Sequence, residues 1–85
     1  MKNENTRING IKIPNGTIIL EPQNIFNSGV IGIDGVLLYS LSLLIDSFLD
    51  KTDLDYLDVI EHLSYNTWGF CSVDWPILID DLNEE

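Results

Sequence analysis

Positive charge is scarce in this chain. Lys2, Arg7, Lys12 and Lys51 stand against fourteen acids in 85 residues, a formal balance of −10. Affinity for phosphates rests largely on Lys and Arg displacing counterions, so direct binding to nucleic acid is excluded, and an anionic membrane surface is disfavoured on the same ground. Cysteine is represented by Cys71 alone. One cysteine forms no internal disulfide, and Met1-Lys2-Asn3-Glu4-Asn5 lacks the apolar stretch of a secretory signal, so the expected setting is a reducing cytoplasm. Long apolar runs are also missing. The most apolar stretch, Val36 to Ile45, is broken by Ser40 and Ser42 and is about half of the ~20 residues that a bilayer span needs.

What remains is enough to fold. Apolar residues make up 45% of the sequence, so its acidity does not signal disorder, which requires high charge together with low hydrophobicity. Residues 1–85 are read as one small domain, with no internal repeat, linker or low-complexity tract.

The N-terminal third reads as β. Arg7 to Ile13 ends in polar–apolar alternation, Pro14-Asn15-Gly16 carries turn chemistry, and Thr17-Ile18-Ile19-Leu20 is a β-branched run, which together predict a hairpin. Asn9-Gly10 offers a second turn or a bulge. Asn24, Asn27, Ser28 and Gly29 read as loop, and Val30-Ile31-Gly32-Ile33 as a short strand. Asp34 is then placed to cap a helix from Gly35 to Leu49, with Leu37, Leu41, Leu44, Ile45 and Phe48 on its inner face. Thr52 to Asp55 fits a capping box and opens a second helix whose Leu57, Ile60 and Leu63 face inward. Trp68 to Val73 reads as a strand closing the sheet, and Pro76 as the first turn of a final helix with Trp75, Leu78, Ile79 and Leu82 on one face. The expected architecture is α+β: a small antiparallel sheet of three or four strands packed against two main helices, plus a short C-terminal helix.

Chemistry-bearing patterns are sparse. His62 and Cys71 are each the sole residue of their kind, and nothing in their spacing brings them together as a nucleophile pair. Asp53-x-Asp55-x-x-Asp58 resembles the start of a calcium loop, but Leu57 and Asp58 occupy the positions that need a ligand and a glycine. Gly29-x-x-Gly32-x-x-Gly35 is neither the dinucleotide fingerprint nor a P-loop. Asp46-Ser47-Phe48 resembles the attachment site of acyl carrier proteins, yet Ser47 falls late in a predicted helix instead of opening one. No catalytic residue, cofactor or metal is therefore assigned.

The acids are the feature left. Residues 46 to 85 hold eleven of them against Lys51 alone, while residues 1 to 45 are balanced. Asp46 and Asp50 on the first predicted helix, with Asp55, Asp58 and Glu61 on the second, are expected to form one negative face, and Asp80, Asp81, Glu84 and Glu85 a second cluster. Carboxylates one helical turn apart lie ~5–6 Å from each other, against one phosphate per ~3.4 Å of duplex axis. Like charges this close disfavour the helix slightly, whereas solubility alone would be served by mixed signs. The expected partner is a basic protein surface, such as the nucleic-acid channel of a nuclease, met through these acids with Trp68 and Trp75 as aromatic anchors. Reversal of Asp55 and Asp58 is expected to leave the fold intact. In size and charge the chain is similar to anti-restriction and anti-CRISPR proteins of phages and to toxin-neutralising immunity proteins. The competing reading is a structural subunit that oligomerises, as a homodimer or within a larger assembly, through apolar surface.

Overall fold

In the computed structural model, residues 6–68 and 74–82 are described. Two short strands, β1 (Thr6–Ile8) and β2 (Ile11–Ile13), open the chain as an antiparallel hairpin with Ile8 opposite Ile11. Their turn is Asn9-Gly10, at φ 54° and 82°. Two successive residues at positive φ give the type I′ geometry whose twist matches paired strands. The hairpin expected across Pro14-Asn15-Gly16 is thus displaced by one turn. Pro14 to Thr17 does form a turn, closed by Thr17 N–H on Pro14 O at 3.3 Å with Gly16 at φ 88°, but Thr17 to Leu20 leave it without joining a sheet. Leu20 is buried and donates its N–H to the Tyr39 hydroxyl at 3.0 Å.

A single helical turn, α1 (Gln23–Phe26), runs into a 3₁₀ turn at Asn27–Gly29 where a loop was expected. The strand expected at Val30–Ile33 is present as β3 (Val30–Asp34). It pairs antiparallel with β4 (Val36–Ser40) across Gly35, which lies at φ 77°. The register shifts between Val30 and Gly32, and Ile31, in the shift, stands half out in solvent.

β4 corrects the helix expected from Gly35. Leu37 and Tyr39, two apart, are both fully buried, the period of a strand. From Leu41 the buried positions become Leu44, Ile45 and Phe48, the period of a helix. Leu37 fits either series, which is why one uninterrupted helix could be read. The cap is Ser40, whose Oγ accepts from Leu43 N–H, and α2 (Leu41–Lys51) follows it. A side-chain oxygen at this position satisfies one of the orphan amides of the first turn, the role assigned to Asp34 in the sequence.

β5 (Ile77–Ile79) lies parallel beside β4, with Leu78 opposite Tyr39, so the three-stranded sheet has the order β3-β4-β5 and mixed direction. It replaces the C-terminal helix expected after Pro76. Pro76 lacks an N–H and sits just outside the strand, where no ladder bond is needed. The expected all-antiparallel sheet is likewise replaced by a mixed sheet and a separate hairpin. The strand expected at Trp68–Val73 lies outside the described residues except for Trp68.

One aromatic chain runs through the core. Phe26 meets Phe48 and Tyr39 edge to face at centroid distances of 5.4 and 6.0 Å, and Tyr39 meets Trp68 at 5.9 Å. Burial pushes the Tyr39 phenol above its usual range; the bond from Leu20 opposes the rise and the Glu21 carboxylate adds to it. Two polar pins fix the layers. Ser47 Oγ donates to Ile25 O at 2.8 Å, joining α2 to α1, and Asn9 Nδ2 reaches Asn27 O at 2.7 Å and Val30 O at 3.0 Å, joining the hairpin to β3.

Candidate functional site: the outer faces of the second and third helices

α2 ends at Thr52, whose N–H and Oγ1 both donate to Phe48 O. Thr52 is therefore the C-terminal cap of α2, and the N-cap of α3 (Tyr56–His62) is Asp55. Asp55 Oδ1 accepts from Asp58 N–H at 2.9 Å, and Asp58 Oδ2 accepts from Asp55 N–H at 3.4 Å. The capping box exists three residues later than the sequence suggested, with two aspartates in place of the usual Ser/Thr and Glu. Both aspartates are exposed, as expected, but each also caps α3, so reversing them removes the cap as well as the charge.

The later start also rotates α3. Val59 and Leu63 are buried and Ile60 half-buried, whereas Leu57, expected inside, is 68% exposed. Its neighbours on the outer side are Asp58 and Glu61, and beyond them Tyr65, in a π-helical turn over Leu63–Thr67, is 75% exposed. Leu54, Asp58, Glu61, His62 and Tyr65 line an open depression of about 500 Å³. His62 packs on the Phe48 ring at 5.5 Å and so connects the depression to the core.

On α2, Asp46 and Asp50 are exposed on one face with Leu43 and Leu49 beside them. Asp50 forms a surface ion pair with Lys51 at 3.8 Å, a contact worth little in water. Asp46, Asp50, Asp58 and Glu61 therefore line the solvent sides of two consecutive packed helices.

Asp81 plays a different part. Its carboxylate accepts from Ser40 Oγ, from Ser42 N–H at 2.9 Å and from Ser42 Oγ at 3.1 Å, at the start of α2. The hydroxyl of Ser40, then the amide of Ser42, hold its pKa below the usual aspartate range. Asp81 is the acid that ties the segment after β5 to the helix head, about eight residues and ~12 Å along the axis from Asp50. Asp80 is exposed beside it and accepts from Leu82 N–H at 3.3 Å.

Neither tryptophan lies open on the acidic face. Trp68 is half-buried against the core, its Nε1 donating to Pro76 O at 2.8 Å, and Trp75 is half-buried likewise. The exposed aromatics beside the acids are Tyr56, next to Asp55, and Tyr65, one turn beyond Glu61, and neither was among the expected contact residues. Among the described residues no helix is long and apolar enough to cross a membrane, and no group of three or more potential ligands gathers as a metal site. Comparison with protein-family models, curated proteins and solved structures gave no match.

Proposed function

We propose that the chain is a non-enzymatic inhibitor or accessory protein, acting in the cytoplasm, that docks the outer faces of α2 and α3 on a basic surface of a partner protein. The site of docking on the partner is a nucleic-acid-binding groove, as for the nucleic-acid mimics of phage anti-restriction and anti-CRISPR systems or for immunity proteins. The observation carrying this reading is the pairing of Asp58 and Glu61 with exposed Leu57 and Tyr65 on one helix side. Carboxylates steer a cationic partner and fix its register, while a large apolar side chain and an aromatic supply the desolvated contact that gives affinity.

The test is capture of a partner on the immobilised chain across a salt series, with the captured protein then offered competing duplex DNA. Capture is expected to fall about ten-fold between low salt and roughly 0.5 M, to be displaced by DNA, and to be lost in Asp46→Lys/Glu61→Lys. Glu21→Lys/Asp34→Lys, an equal charge change at two exposed acids elsewhere, serves as control. Retention that ignores salt, DNA and the double reversal overturns the proposal.

Exposed Ile31, Leu43, Leu49 and Ile77 favour a second reading, an oligomerising subunit held by apolar contacts. A homodimer through α2 would set Asp46 and Asp50 against their own copies, which like-charge repulsion opposes. Salt therefore separates the readings in opposite directions: it dissolves a complex with a basic partner and promotes self-association.

A further inference from the structure

We infer that the depression on α3 is a receptor for an arginine side chain of the partner, a refinement that rests on the docking reading above. Four features converge there. Asp58 and Glu61, three residues apart on one helix, have Cβ atoms ~5–6 Å from each other, near enough for both carboxylates to meet one planar guanidinium. Tyr65, one turn beyond Glu61 and three-quarters exposed, offers a ring face to a cation. Leu54 gives the aliphatic stem an apolar wall, and His62 is set against Phe48 below. Finally, the space is open, and among the described residues no Lys or Arg of this chain enters it; the next cation along the chain, Lys51, is engaged on α2 with Asp50 and Ser47.

The occupant follows from this chemistry. A second copy of the chain is opposed by its own −10 balance, and a purely apolar segment would desolvate two carboxylates with only the long Asp55 amide bond to Asp58 to offset the cost. A lysine satisfies the charge as a point donor but neither bridges two carboxylates in a plane nor stacks as a guanidinium does. An arginine satisfies all three walls at once.

The probe is a pair of short peptides of equal charge, one carrying four arginines and one four lysines, titrated at matched ionic strength while backbone amide shifts are followed by NMR. The arginine peptide is expected to bind roughly two- to five-fold tighter than the lysine peptide, with saturating shifts centred on residues 54–65. Glu61→Gln and Tyr65→Leu are expected to abolish this preference, whereas Tyr65→Phe, which keeps the ring, retains it, as does Glu21→Gln. Equal affinity for both peptides, or shifts spread evenly over Asp46, Asp50 and Asp80, overturns the arginine receptor. That outcome leaves the docking reading standing if partner capture still falls with salt. A localised arginine preference with salt-insensitive capture would sink the docking reading instead.

Discussion

Asp81 illustrates how a carboxylate counted as surface charge can act as a structural bond. Its pKa is depressed in the folded chain, so its contribution is present above the ordinary aspartate value and disappears as pH falls through the depressed one. A carboxyl titration by NMR is expected to place Asp81 below the ordinary aspartate value. Asp81→Asn should speed amide exchange at Ile77–Ile79 and flatten its dependence on acid pH. Gly29 is constrained by space: a Cβ there would run into the Leu44 side chain, which is fully buried and has nowhere to move. Gly29→Ala is expected to cost about 1–3 kcal/mol in urea denaturation. Because Leu44→Ala opens that space, the double variant should be less destabilised than the two single effects added together.

Local chemistry sets the elements, and the sequence was most legible where it was unambiguous. Val30–Ile33 as a strand and Leu41, Leu44, Ile45 and Phe48 as a buried helical stripe could both be read from spacing. Errors arose where one residue served two patterns. Leu37 matched the stripe of a helix while belonging to a strand, and Thr52 matched an N-cap while closing the helix before it. Distinguishing Thr52 from Asp55 as cap required knowing where α2 stops, which is decided by the bond from Thr52 to Phe48. The C-terminal strand was illegible for a different reason, since its ladder partner lies some forty residues upstream and no local pattern records it. Asp55→Ala removes the reciprocal cap and is expected to cost about 1 kcal/mol, seen as faster amide exchange in α3 with α1 and α2 unchanged. Asn9→Ala loses both bonds to Asn27 and Val30 and strains a residue at positive φ. A cost of about 2 kcal/mol is expected from these together.

At the level of the whole molecule, the charge imbalance works against the fold and for association. Eleven acids in the second half repel one another with Lys51 as sole relief, so screening is expected to stabilise the free protein. Its melting temperature should rise by a few degrees between low salt and roughly 0.5 M NaCl; a flat response would mean that the carboxylates are too dispersed to interact. The candidate site was half legible in these terms. Composition located the acids on two neighbouring helices, but not that Asp55, Asp58 and Asp81 also make structural bonds, nor that Leu57 and Tyr65 face outward beside them.

The parallel seating of β5 on β4 also governs what happens when the chain is shortened. A variant ending before Ile77 would strip the central strand of its neighbour, leave a bare rim of peptide groups along Leu38 to Ser40, and release the head of α2 from Asp81. Such a rim is a template for another strand, so trimming the last nine residues should convert an acidic, self-repelling protein into one that aggregates.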